Sequence, residues 1–160
     1  MSRGQLQREL KKRQPFESDA QEAMLNLVRT SDRFQIRFTR LFREYGLTPS
    51  QYNVLRILRG EGQPLPCLEV AERMVAAVPA ITGLIDRLEA MGLVSRERST
   101  EDRRVVYVTI TAKALDLLAR LDGPVIDMHT ALMGHLSQSE LRQLIGLLEK
   151  ARQSLSSEFE

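Results

Sequence analysis

Residues 79–92 read Pro79-Ala80-Ile81-Thr82-Gly83-Leu84-Ile85-Asp86-Arg87-Leu88-Glu89-Ala90-Met91-Gly92. Ile81, Leu84, Ile85, Leu88 and Met91 recur at intervals of three and four, so they form one apolar stripe on a helix that Pro79 opens and Gly92 closes. Immediately upstream, Leu68, Ala71, Met74 and Val75 read as the inward face of a shorter helix. Only Ala76, Ala77 and Val78 are left between the two, a tight turn of small residues at the spacing of a helix-turn-helix. Downstream, Leu93 to Arg98 is an extended run and Ser99-Thr100-Glu101-Asp102-Arg103 a polar turn. Arg104 to Ile110 then alternates, with Val106, Val108 and Ile110 on one face, which completes a β-hairpin. A hairpin directly behind a helix-turn-helix is a winged helix.

Working outward, Leu47-Thr48-Pro49-Ser50-Gln51-Tyr52 carries several helix-start signals at once. Thr48 is an N-cap, Pro49 suits the first helical position, Gln51 closes a capping box, and Leu47 with Tyr52 forms a hydrophobic staple. This second helix buries Tyr52, Leu55 and Leu58 and is expected to stop at Gly60, with Glu61 to Pro66 a turn-rich connection. Before it, Met24, Leu27, Val28, Phe34, Phe38, Leu41, Phe42 and Tyr45 mark one face of a long first helix that ends at Gly46. After the wing, Thr111 caps a fifth helix built on Ala114, Leu115, Leu118 and Leu121, which Gly123-Pro124 is expected to break or kink before Val125 to Met133. A second capping box, Ser137 with Glu140, starts a last helix that turns Leu141, Leu144, Ile145, Leu148, Ala151 and Leu155 inward.

One hundred and sixty residues, 42% hydrophobic and 28% charged, make one domain's worth of globular chain, against a usual roughly 100–200 residues per domain. No stretch is apolar for long enough to span a membrane, the N-terminus lacks the pattern of a signal peptide, and a lone Cys67 fits a reducing compartment, so a cytoplasmic protein is expected. The net charge of +2 is unevenly spread: residues 1–47 hold ten basic and six acidic side chains, and residues 48–111 hold eight of each. Arg3, Arg8, Lys11, Lys12 and Arg13 against Glu9 make residues 1–15 a basic arm, read as a flexible, solvated terminus that could also attract phosphate. Residues 16–47 then form an N-terminal helix, 48–111 the winged helix-turn-helix, and 112–160 the C-terminal helices. The fold class is mainly α with a small β-hairpin wing.

Several of these segments together resemble the MarR family of bacterial transcriptional regulators: Gly46-Leu47-Thr48, Leu68-Glu69-Val70-Ala71-Glu72-Arg73-Met74, the run from Ile81 to Val94, and Asp102-Arg103-Arg104 with Ile110-Thr111. The resemblance implies a homodimer that binds a pseudo-palindromic operator on double-stranded DNA, as a repressor that a small molecule often releases. It also marks departures. The family commonly caps its third and fourth helices with Ser or Thr, where this chain has Pro66 and Val78-Pro79, and Ala114 stands where the family often has glycine.

With Ile81, Leu84, Leu88 and Met91 inward, Pro79, Thr82, Gly83, Asp86, Arg87 and Ala90 face out. Of these, Thr82 and Arg87 can read a base edge or a phosphate, Pro79 offers an apolar contact, and Gly83 either permits close backbone approach or is simply tolerated on an exposed face. Arg103 and Arg104 follow directly on the wing turn and suit a minor groove, Arg103 as the first contact although the two roles are interchangeable from sequence. Asp102 beside them is expected to brace the turn, by pairing with Arg104 or by accepting from backbone amides. Arg96 and Arg98, on one face of the preceding strand, are expected phosphate contacts. The first, fifth and last helices carry apolar stripes too extensive for one copy to cover, so both termini are expected to form a dimerisation region holding two recognition helices about 34 Å apart.

A pocket for an aromatic effector is expected along Phe34, Arg37, Phe38, Phe42 and Tyr45; the alternative is that these rings are core and dimer contact. Cys67 near a helix start raises a redox reading against that of a small half-buried side chain. His129 and His135 stand six positions apart, off one face, and no carboxylate or thiol completes a metal set. No nucleophile, base and orienting group occur together, so neither enzyme activity nor a cofactor is expected. The competing function is a winged helix used as a protein–protein adaptor without DNA.

Overall fold

The computed structural model describes residues 4–155. Arg3 of the basic arm and the last five residues of the C-terminal segment lie outside them. The element order is α1 (Gln5–Glu9), α2 (Asp19–Glu44), α3 (Pro49–Glu61), β1 (Leu65–Pro66), α4 (Cys67–Glu72), α5 (Ile81–Ala90), β2 (Val94–Arg98), β3 (Val106–Ile110), α6 (Ala112–Met133) and α7 (Gln138–Gln153). The chain divides after Leu121 into two compact units. The winged helix expected from residues 48–111 is present in the first.

That unit is organised around the buried side chains of Val54, Leu55 and Leu58 from α3, Val70 from α4, Ile85 and Leu88 from α5, Val108 from β3 and Leu118 from α6. The Thr48–Gln51 capping box is formed in both directions: Thr48 Oγ1 accepts from the Gln51 amide at 3.2 Å and Gln51 Oε1 from the Thr48 amide at 2.9 Å. α3 runs past Gly60 to Glu61, and Gly62, at φ 71°, is the left-handed residue that ends it. Either glycine could serve by composition; only Gly62 adopts the positive φ that the C-cap needs.

The hairpin pairs Val94 with Ile110, Arg96 with Val108 and Arg98 with Val106. A third strand, β1, adds Leu65 opposite Val108 on the far side of β3, giving the order β1-β3-β2. Sequence reasoning assigned these residues to a turn. Two residues are too few to show alternation, and Pro66, which cannot donate to a ladder, is tolerated because β1 is an edge.

α4 and α5 are shorter than their apolar patterns imply. α4 is six residues long and buries Val70, while Leu68 and Val75, expected inward, are 69% and 85% exposed. α5 begins at Ile81, so residues 73–80 join the helices, not a three-residue turn. Val78 precedes a proline and is biased away from helix, and Ala80 at the N-cap has no side chain to hold the first amides. At the other end Gly92 takes φ 71° as expected. Thr111 fastens the joint with α6: its hydroxyl donates to the Gly92 carbonyl at 2.8 Å and accepts from the Ala114 amide at 3.3 Å. Lys113 Nζ donates to the Met91 carbonyl at 2.7 Å.

α6 continues through Gly123-Pro124 without a break. A single proline removes one backbone bond, and the remaining bonds of a 22-residue helix carry the strand of turns across it. In the second unit the Ser137–Glu140 capping box opens α7, as expected. α7 buries none of its side chains: Ile145 and Leu147 are largely exposed, and Leu141, Leu144 and Leu148 are only half covered. The first helix shows the same pattern. Leu41 and Phe42 of α2 are buried, but Met24 and Val28 are 67% and 64% exposed.

Within the segment expected as a flexible arm, Gln5–Glu9 form α1. α1 buries Leu6, its Glu9 accepts from Arg29 of α2 at 2.8 Å, and Lys12 donates to the Gln14 and Pro15 carbonyls. Leu6 supplies the apolar anchor that the charge count hid.

Candidate nucleic-acid interface

The apolar face of α5 settles which of its residues are free. Leu84, Ile85 and Leu88 are buried, which turns Thr82, Asp86, Arg87 and Ala90 to the exposed side, with Pro79 exposed in the turn before the helix. Gly83 is half-buried, yet a Cβ built on it would meet nothing within 4 Å. Nothing inside the chain requires the missing side chain there.

The wing tip is fixed by main-chain bonds. Ser99 Oγ accepts from the amides of Glu101 and Asp102, both at 3.2 Å, and the Ser99 amide donates to the Val105 carbonyl at 3.0 Å. Asp102 accepts from the Arg104 amide through Oδ1 and from the Val105 amide through its carbonyl, each at 2.9 Å. Of the two roles open to Asp102, the structure shows bonding to a backbone amide, not pairing with the Arg104 side chain. Ser99 shares the bracing, a role that sequence reasoning missed; a serine three residues before an aspartate in a turn was the available signal. Arg103 and Arg104 extend from this pinned loop, exposed. Among the described residues, neither they nor Arg87 and Arg98 have a carboxylate partner.

Arg96 differs from the expectation of a phosphate contact. Its guanidinium is held by Asp86 at 2.6 Å and by Glu89 at 2.6 Å, and its amide donates to Glu89 at 3.2 Å. The guanidinium holds the Glu89 carboxyl below its usual range, and Glu89 in turn raises Arg96. A depressed carboxyl stays ionised even at pH below its ordinary value, so the Glu89–Arg96 pairing is fully present at neutral pH and is lost only as pH falls through the depressed value. Asp86 and Glu89 lie three residues apart on α5, so one fork-shaped donor reaches both.

The aromatic residues expected to line a pocket differ in burial and in partners. Phe42 is buried and stacks on Tyr52 with centroids 4.2 Å apart, Phe38 stacks on Phe42 at 5.8 Å, and Phe34 is half-buried. Arg37 is exposed. Rings spaced three and four apart serve the core as readily as a ligand, and here the core takes Phe42. A separate cavity of about 340 Å³ is lined by Tyr45, Met91, Leu93, Lys113, Leu117 and Arg120; of the expected residues it includes Tyr45. Burial pushes the Cys67 thiol up, opposite to what a reactive thiolate needs. Among the described residues no three His, Cys, Asp or Glu side chains are grouped so as to hold a metal ion, and no helix is long and apolar enough to cross a membrane.

The profile of the MarR family matches residues 47–106. The crystal structure of a MarR transcription factor from Planctomyces limnophilus is 43% identical, with a TM-score of 0.66 over 84% of this chain and 98% of that one. The homoprotocatechuate degradative operon repressor of Escherichia coli is 26% identical over 71% of this chain and 76% of its own length. A structure of BpsR from Bordetella bronchiseptica, describing regulation of its DNA binding by 6-hydroxynicotinic acid, is 26% identical, with a TM-score of 0.74 over 86% of this chain and 97% of that one.

Proposed function

The chain belongs to the MarR family of transcriptional regulators, and from that premise we propose that it is a repressor that binds a pseudo-palindromic operator as a homodimer. The observation that carries the reading is the wing: Arg103 and Arg104, without a carboxylate partner among the described residues, stand on a loop that Ser99 and Asp102 pin through the backbone. A pinned loop loses little backbone freedom when it meets DNA, and arginine at a wing tip suits the negative potential of a narrow minor groove. Thr82, Gly83, Arg87 and Pro79 form the adjoining major-groove surface, thin in base-reading groups, and Arg98 contributes charge for phosphate. Specificity therefore rests on DNA shape more than on hydrogen bonds to base edges.

The homodimer accounts for the apolar side chains left exposed on α2 and α7, Met24, Val28, Ile145 and Leu147. A second copy covers them and places two wings on one duplex. An adaptor function would give the exposed wing arginines no role.

The effector is a small aromatic or related acid, and the cavity beside Tyr45 is its site. Its lining joins apolar Met91, Leu93 and Leu117 with the basic Lys113 and Arg120, and its volume of about 340 Å³ is within the usual range of about 300–1,000 Å³ for small-molecule pockets. BpsR, whose DNA binding 6-hydroxynicotinic acid regulates, is the relevant relative.

Titration of a labelled duplex from upstream of its own gene tests the reading. Log affinity is expected to fall linearly with log salt, with a slope of about −0.9 per phosphate neutralised. Aromatic carboxylates added to the same titration are expected to weaken binding. A response flat in salt overturns the DNA-binding reading; indifference to the carboxylates overturns only the effector.

A further inference from the structure

The recognition helix α5 presents two carboxylates, Asp86 and Glu89, on a surface that the DNA-binding reading brings close to phosphate. Acidic side chains there oppose binding unless they serve another purpose. Their geometry supplies one. Arg96 Nη1 meets Asp86 Oδ1 at 2.6 Å, Nη2 meets Glu89 Oε2 at 2.6 Å, and Nε reaches the same oxygen at 3.0 Å. The second Glu89 oxygen accepts from the Arg96 backbone amide at 3.2 Å. Glu89 is thus tied to both the main chain and the side chain of one residue. That residue sits in the middle of β2, paired with Val108, whose own side chain is buried in the core.

We propose that Arg96 is a positioning residue for DNA recognition: it locks α5 to the first strand of the wing, so that the recognition helix and the wing tip engage DNA as one rigid body. This rests on the DNA-binding reading above. The helix needs such a lock because its start has none. Ala80 provides no side-chain cap, and eight residues, 73–80, separate α5 from α4. Near its C-terminus, Asp86 and Glu89 hand the restraint to a strand already fixed in the sheet. The pairs are only partly shielded from water, so they add little to global stability. Their effect is on the angle and mobility of one helix.

A brace and a phosphate contact predict opposite signs for the same substitutions. On charge alone, D86A/E89A removes two negative charges from the DNA-facing helix and should tighten binding. If the carboxylates hold Arg96 as a brace, D86A/E89A instead weakens binding, by about tenfold, as does R96A, and the triple variant is no weaker than R96A because the groups act as one unit. R96A keeps the wild-type salt slope, whereas loss of a direct phosphate contact reduces it by about 0.9. In the free protein, without DNA, R96A is expected to speed hydrogen exchange across residues 83–90 while the melting temperature barely moves.

Binding by D86A/E89A as tight as wild type or tighter, a reduced slope in R96A, or unchanged exchange in α5 would each overturn the proposal. Failure of the wild-type protein to bind any duplex overturns the DNA-binding reading and the recognition role with it, and the exchange measurement still reports separately on the brace.

Discussion

Replacing Met24 and Val28 together by aspartate is expected to leave a monomer that binds its operator at least about 1,000-fold more weakly, the gap that commonly separates specific from non-specific binding. The two side chains lie one turn apart on α2 and are 67% and 64% exposed in the single chain. Aspartate there meets water in the monomer and should change its stability by only about 0.5 kcal/mol or less. In a dimer that buries the same face, each carboxylate loses its water without gaining a partner, which opposes association strongly. The effect on DNA is then multiplied. A dimer engages two half-sites at once, and the second engagement is intramolecular, so a monomer forfeits the whole of that advantage. Light scattering combined with operator titration checks both halves of the prediction. A variant that stays dimeric would move the interface off α2.

The second large effect is expected from R103A/R104A: a loss of about 100-fold or more in operator affinity, since one well-placed arginine contact is commonly worth about 1–3 kcal/mol. Both side chains are exposed and, among the described residues, have no carboxylate partner, and the wing tip is held there by Ser99 and by the backbone around Asp102. Removing them should therefore leave the loop and the melting temperature intact. R142A, on α7, changes the net charge without touching the wing sequence and should bind as the wild type does. Equal losses in the two proteins would mean that bulk charge, and not the wing, supplies the affinity.

What was legible in the sequence follows the strength of the local signal. Thr48 with Gln51 and Ser137 with Glu140 each place a side-chain acceptor and a reciprocal carbonyl or carboxylate at fixed spacing, and both boxes form where expected. Val106, Val108 and Ile110 alternate over enough residues to mark a strand unambiguously. The short α4 is the opposite case. Over six residues, a stripe through Leu68 and one through Val70 fit a helix equally well, and the core beneath it decides for Val70. Length also hid β1, and the pairing of Leu65 with Val108 depends on residues more than forty positions away.

In the candidate interface, residue identity revealed which side chains carry charge but not which of those charges are already spent. Arg96 and Arg98 alternate onto the same face of one strand and look alike in sequence. Only Arg96 has Asp86 and Glu89 within reach, because α5 crosses beside β2. The aromatic residues of α2 pose the same problem: Phe42 and Tyr45 are three residues apart, yet one is core and the other lines a cavity. Partner burial is likewise invisible to periodicity, which reports that Met24 or Ile145 wants cover without saying from which chain.

In the proposed complex two copies set two wings and two recognition helices on one face of a duplex. Hydroxyl-radical footprinting on genomic fragments retained by the purified protein tests it most directly. Two protected patches related by inverted symmetry are expected, with centres one helical turn, about 34 Å, apart. A single protected patch, or protection without two-fold symmetry, would contradict it.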